Sequence, residues 1–471
     1  MSQFFLWIII LVEGFVTISA EILTIRQILP IAGSSVIVTS LIIGIFLLFL
    51  AYGYRRGGQI NTDSVAKISK LKQNFTFSAF CLGIGLSYIF IQLFFSTFRA
   101  LFTTHLLFIL TLYLLIVTAP LVYVLGQTVP ITMNLIRQSS STGETGGKIL
   151  HLSTIGSFLG AVFTSVILMN FLGVAWTIFI NYALLMFLAF LLIPKKTQEP
   201  LRILALILGL FLTYLFNNTI ENKMFITTNA YANYQIIQDK DRQILFSNES
   251  ASSALSPEKK AFPYIEMIKK ILFLDLKLTN KDILVLGAGG FSLSAESTFG
   301  NRFTYVDIDK DIQGIVKKHF LNEIAGDLVV EDARYFLNTT HKKFDAIVSD
   351  TYSNSKSIPA HLLTQEYFIT LNHALTESGT AIFNIIGRPM MDDAYSKRID
   401  NTIRSVFNQC MVIPIHYTQS SGNIIYVCQK NLNYKDKGLY TDDLNQIALD
   451  YFKLITNWRS HEMFGGGETR H

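Results

Sequence analysis

Charge is what this sequence has least of. Only 15% of its 471 residues are Asp, Glu, Lys or Arg, 50% are hydrophobic, and the mean hydropathy is +0.39. A soluble chain of ordinary make-up is about a quarter charged, so the composition suggests a membrane portion beside a soluble one. Cysteine is also scarce. Cys81, Cys410 and Cys428 show no metal spacing and no disulfide framework, and all three are expected to be packing residues. The net charge of +5 is mild, and no basic, aromatic-interleaved patch stands out, which argues against nucleic acid as a partner. No Walker lysine follows a glycine turn, so a phosphate-cradling P-loop is excluded.

The apolar excess is uneven. Residues 1–217 hold nearly all the long apolar runs, while 218–471 read as a globular segment large enough to bury its own core. Seven stretches, roughly 4–25, 35–54, 75–96, 104–126, 150–171, 173–193 and 201–217, approach the length of about 20 residues that a bilayer crossing needs. The first is too long and too acidic for a cleaved signal peptide. The expected layout is a transmembrane helical domain over 1–217, a linker over 218–232, an α/β domain over 233–460 and a disordered, functionless tail over 461–471. Gly156, Gly160 and Ala161 predict close helix packing.

Arg55, Arg56, Lys67, Lys70 and Lys72 lie between spans two and three. Arg137 and Lys148 follow span four, and Lys195, Lys196 and Arg202 follow span six. All fall on one side, against Arg26 and Arg99 on the other, so the positive-inside rule puts the start of the chain in the cytoplasm. Span one carries Glu13, Thr17 and Glu21 on one helical face, then Arg26, Pro30 and Gly33. Carboxylates at membrane depth are paired or functional: Glu21 forms a structural pair with Arg26 or another basic residue, or the acids make a cation site.

In the second half, Ile283 to Leu286 is an apolar run that breaks into Gly287-Ala288-Gly289-Gly290. A helix-like segment follows, then a second apolar run ending on Val306-Asp307-Ile308-Asp309. This is the order of strand, glycine turn, helix and parallel strand. Glycines admit a ligand close to the backbone, and Asp307 lies where a dinucleotide fold places its ribose-binding acid. Further strands are expected at 328–330, 344–349 and 380–386, with a closing antiparallel edge at 411–415 and 423–428. A β-hairpin (232–238 with 243–246) and helices over 257–274 and 364–375 complete the reading. Acids recur at strand ends (Asp307 and Asp309, Glu331 and Asp332, Asp350), where the crevice of a doubly wound sheet lies. Asp332 also fits a helix N-cap. The fold class is thus an N-terminal α-helical multi-span membrane domain plus a C-terminal α/β Rossmann-like domain of S-adenosylmethionine-methyltransferase type, with a small N-terminal β-hairpin.

These residues resemble the spermidine synthase (polyamine aminopropyltransferase) family over about 225–430, and more closely its membrane-fused branch, whose Glu…Arg…Pro…Gly pattern matches Glu21, Arg26, Pro30 and Gly33. Tyr234-Gln235 is similar to the family's nucleoside-contacting Tyr-Gln. Tyr264-Ile265-Glu266 resembles the Tyr-x-Glu of the active-site wall. Gly287 and Gly289 sit at the glycine loop. The resemblance implies that Asp307 binds the ribose, that Asp332 holds the adenine amine and that Asp350 is the catalytic aspartate, followed over 351–366 by a loop that closes on the amine. Gly290 and Ser353 stand where the family has further acids that would partner an ammonium.

The implied reaction is aminopropyl transfer from decarboxylated S-adenosylmethionine to a polyamine such as putrescine. Asp350 would be the general base, and Tyr264, Glu266 and Tyr352 would line the amine channel. Neither a resident cofactor nor a metal is implied; the partners are the polyamine, the adenosyl sulfonium and membrane lipid, and the resemblance leaves room for a homodimer. Two rival readings stand beside it. One is a methyltransferase using S-adenosylmethionine itself; the other is a polyamine transporter or sensor with a degenerate nucleoside domain. The expected location is the cell (inner) membrane. An adenosyl substrate is made in the cytoplasm, whereas seven crossings would leave the second domain outside. Span four, apolar from 104 to 136 and interrupted by Pro120 and Pro130, is expected to hide a re-entrant or second short span that resolves this conflict.

Overall fold

The computed structural model describes residues 3–33, 35–60, 62–102, 106–136, 142–193, 199–248, 250–352, 359–417, 421–430, 440–442 and 447. The expected tail and residues 353–358 of the loop that should close on the amine, Ser353 among them, lie outside these. The chain forms two compact units, one of residues 1–32 and 38–233, the other of 33–37 and 234–471.

The first unit is helical. Among the described residues, five helices are long and apolar enough to cross a membrane: Gln3–Ala32, Val36–Gly58, Leu106–Ile136, Gly143–Leu191 and Pro200–Met224. A sixth candidate is the pair Ser64–Gly85 and Tyr88–Leu101, bent by 70°. The break therefore falls in span three. Span four runs from Leu106 to Ile136 as one helical length despite its prolines, because Pro120 sits where a π-helical turn (Leu114–Thr118) has already shifted the backbone bonding. Gly143–Leu191 holds the fifth and sixth expected spans, which meet at the non-helical Gly173 (φ 81°). The last helix continues to Met224, so the first part of the stretch expected as a linker over 218–232 is helical. Gly156 and Gly160 pack as their spacing predicts. A Cβ on either would lie 2.1 Å from the Leu11 carbonyl oxygen or 2.3 Å from that of Phe15, so only glycine lets these two backbones meet.

A short strand, β1 (Thr227–Thr228), ends the first unit. The second begins with the hairpin β2 (Asn233–Asp239) and β3 (Arg242–Ser247), in register from Tyr234↔Ser247 to Asp239↔Arg242. It is extended by β4 (Ser250–Leu255), a strand too rich in Ser and Ala for pattern reading to find.

The main sheet has β5 (Asp282–Leu286), β6 (Arg302–Asp307), β7 (Asp327–Val330), β8 (Phe344–Ser349), β9 (Leu375–Gly387), β10 (Cys410–Pro414) and β11 (Gly422–Gln429), in the order β10-β11-β9-β8-β5-β6-β7. Strands β5 to β9 run parallel, and β10 and β11 close one edge antiparallel. Both faces of the centre are covered, so β5 and β8 are near-continuous apolar runs. The strand order reverses between β5 and β8, which opens a crevice at their carboxyl ends.

Two expectations fail here. No α-helix follows the glycine turn, only a 3₁₀ turn at Ser292–Ser294. Phe291 takes a left-handed conformation (φ 55°) and buries its ring against Tyr305, and the Ser- and Thr-rich segment behind it favours turns over helix. Cys410 and Cys428 are not separate packing residues but a disulfide, with Cα atoms 4.1 Å apart. They are direct cross-strand partners of β10 and β11, a relationship that their separation of 18 residues conceals.

Candidate active site

Asp350 stands at the carboxyl end of β8. Its N–H donates to the Leu286 carbonyl at 2.9 Å, and the Gly287 N–H donates to Val306 at 2.8 Å, so β8, β5 and β6 end level. Gly287 has φ +90°, and a Cβ there would sit 2.3 Å from the Asp350 carbonyl oxygen. Glycine is required at that position.

The turn is pinned from two sides. Asp307 Oδ2 accepts the Ala288 N–H at 2.9 Å, and its Oδ1 accepts the Asp309 N–H at 2.9 Å. Burial pushes the Asp307 carboxyl up, and these backbone N–H groups pull it back. Ser253 Oγ, from β4, accepts the Gly290 N–H at 2.8 Å, beside Gly289. Tyr234 donates to Asp309 Oδ2 at 2.7 Å, which fastens the hairpin to the end of β6. Gln235 follows on β2, half-buried and opposite Phe246.

Tyr264 reaches Asp350 from the helix Pro263–Lys270; its Oη donates to Oδ2 at 3.1 Å. Asn384 Nδ2, from β9, donates to Oδ1 at 2.8 Å. Burial raises the Asp350 pKa, opposed by the Asn384 and Tyr264 hydrogen bonds. The Tyr264 hydroxyl is pushed far above its ordinary value by burial and by the adjacent Asp350 charge. Tyr352 Oη donates to the Asn384 carbonyl at 3.0 Å and accepts the Ile386 N–H at 2.6 Å.

Gly287, Gly289, Asp307, Tyr264, Tyr352 and Asp350 are thus linked around one sheet end. Two other expected residues have local partners. Asp332 Oδ1 accepts the Arg334 and Tyr335 N–H groups as the N-cap of Ala333–Thr339, and Oδ2 meets His361 Nε2 at 3.1 Å. Burial raises its pKa, but the Tyr335, His361 and Arg334 hydrogen bonds outweigh that and leave it below the usual range. Glu266 Oε1 accepts the Ala261 N–H at 2.7 Å and Lys269 Nζ at 3.0 Å.

In the helical unit, Thr17 donates to Glu13 at 2.7 Å. Arg26, 5% exposed, binds the Asn229 carbonyl at 2.8 Å and Asn233 Oδ1 at 2.7 Å. No bond joins Glu21 to Arg26 among the described residues; Glu21 lies half-buried. Nor do three or more His, Cys, Asp or Glu gather there to hold a metal.

Sequence reading missed Asn384, Asn423 and Ser253. Asn384 had a signal: it is the polar residue in Ala381-Ile382-Phe383-Asn384-Ile385-Ile386, and a buried strand tolerates an amide only when it is bonded.

Residues 261–437 match the spermine/spermidine synthase domain family. A polyamine aminopropyltransferase of Vibrio vulnificus is 29% identical over 170 residues, 34% of this chain and 54% of that protein. One from Saccharolobus solfataricus is 28% identical over 157 residues, 31% of this chain and 52% of its own. The chain thus spans about half the length of the curated relatives it matches. Among solved structures, a probable spermidine synthase from Corynebacterium glutamicum superimposes with a TM-score of 0.38 at 19% identity, over 51% of this chain and 93% of that one.

Proposed function

With residues 261–437 as a spermine/spermidine synthase domain, we propose that the protein is a transferase moving an aminopropyl group from decarboxylated S-adenosylmethionine to a polyamine such as putrescine. The observation that carries the reading is Asp350, a half-buried carboxylate beside the glycine turn at the sheet's switch point, its oxygens bonded by Tyr264 and Asn384. The adenosyl group fits against this turn. Gly287 and Gly289 are only half-buried, and Asp307 keeps lone pairs for ribose hydroxyls after accepting the Ala288 and Asp309 N–H bonds.

The sulfonium is already a good leaving group, so alignment is the larger task. The amine nitrogen attacks the aminopropyl carbon, the C–S bond breaks, and its electron pair leaves on sulfur as a neutral thioether. Asp350 takes the proton lost from nitrogen. In this reading Tyr264, Glu266 and Tyr352 line the amine channel, and Asp332 and Gln235 serve the nucleoside. The helical unit is proposed to cross a membrane. Its candidate helices support this, as do outward-facing Leu47, Leu93, Phe158, Phe171 and Leu201.

Asp350→Asn tests the assignment. Transfer should fall by at least about 10²-fold, with adenosyl binding retained in calorimetry. Undiminished turnover defeats it, and a methylated product from S-adenosylmethionine would place the protein with the methyltransferases instead.

A further inference from the structure

Two amides lie behind Asp350, and their geometry gives them a role in its chemistry. Asn384 is 3% exposed. Its Nδ2 donates to Asp350 Oδ1 at 2.8 Å, and its own Oδ1 accepts Asn423 Nδ2 at 2.9 Å. Sheet register brings them together: Asn384 pairs with Ile425 and Asn423 with Ile386, so the two amides are diagonal neighbours on one face of β9 and β11. Tyr352 braces the backbone at the same point through the Asn384 carbonyl and the Ile386 N–H.

An amide can present either end. Turned by half a rotation, Asn384 would offer Asp350 an oxygen, which only a protonated acid could bond. An ionised Asp350 can only accept and so takes the NH₂ end, and Asn423 Nδ2, donating to Asn384 Oδ1, holds the amide in that orientation. Tyr264, the titratable side chain bonded to Asp350, donates to its second oxygen. Both oxygens therefore meet donors.

We propose that Asn384 is the positioning residue of the base and that Asn423 sets its orientation, so that Asp350 is held as an acceptor in a fixed carboxylate plane before the amine arrives. This rests on the reading of Asp350 as the base.

The test follows Asp350 itself in the full-length chain, by infrared difference spectra against Asp350→Asn across a pH series. Asn384→Leu, which removes the donor, should raise the protonation midpoint of Asp350 by about one pH unit. Asn423→Ala, which only frees the Asn384 amide to turn, should raise it by less, and Asn423→Gln, which restores a donor, should bring it back. In transfer assays the acid limb of the rate profile should move upward with kcat reduced, while KM for the sulfonium donor holds. A midpoint unmoved in both Asn384→Leu and Asn423→Ala overturns the proposal; should Asn384→Leu not fold, an unmoved midpoint in Asn423→Ala alone overturns it. If the wild-type chain transfers nothing but the midpoint still shifts, the reading of Asp350 as the base fails and the orienting role of the amides stands.

Discussion

Gly287 and Asp350 approach so closely that a methyl group on the first would lie 2.3 Å from the carbonyl oxygen of the second. Gly287→Ala must therefore break the level ending of β5 and β8, on top of the strain of an alanine at φ +90°. The expected outcome is a loss of about 2 kcal/mol or more in stability and weaker adenosyl binding, read by thermal unfolding and calorimetry. Wild-type binding in the alanine variant would show that the turn does not touch the nucleoside.

Tyr234 donates to Asp309, a carboxylate only 2% exposed. Tyr234→Phe leaves Asp309 Oδ2 without that donor, a loss of about 1–3 kcal/mol. Hydrogen exchange should accelerate in β2 and β3 before it does in β5 and β8. Uniform acceleration across both sheets would argue that this contact is not what fastens the hairpin.

Asp282, at the start of β5, bonds Arg302 at 3.0 and 2.5 Å and Lys342 at 2.8 Å. The Arg302 hydrogen bonds, helped by Lys342, hold its carboxyl down at about 2. A folded value below the unfolded one, roughly 3.9, means that the contribution is complete above the unfolded value. It is lost as pH falls toward the folded one. Wild type should thus be more stable than Asp282→Asn at pH 6, with the difference shrinking between about pH 4 and 2. Melting temperatures over a pH series decide it; a gap that persists at pH 2 would point to packing rather than charge.

The Cys410–Cys428 disulfide joins the edge strand β10 to β11. A cross-link closing a loop of this length is worth about 3 kcal/mol. Purified protein should contain one free thiol under denaturing, non-reducing conditions, that of Cys81, and reductant should lower the melting temperature of the second unit. Three titratable thiols before reduction would refute the bridge.

Much of this architecture was legible because strands of a parallel sheet, buried on both faces, announce themselves as apolar runs that end in turn residues. β5, β6, β8 and β9 were each placed that way, and Asp307 and Asp350 followed from their positions at strand ends. The helix expected after Gly290 was misread because glycine turns usually lead into helices, whereas here the buried Phe291 imposes a left-handed step. β4 escaped because Ser-Ala-Ser-Ser-Ala-Leu has no two-residue alternation of apolar and polar side chains.

Local periodicity by itself determined which segments are membrane-like helices, which are core strands and which acids cap the strands, since those properties are written in neighbouring residues. What only the tertiary structure decided is pairing: Asn384 with Asn423, Cys410 with Cys428, Tyr264 with Asp350, Arg26 with Asn229 and Asn233. Each joins residues brought together by sheet register or helix packing, and a hydrogen bond or disulfide depends on distances that no one-dimensional pattern carries.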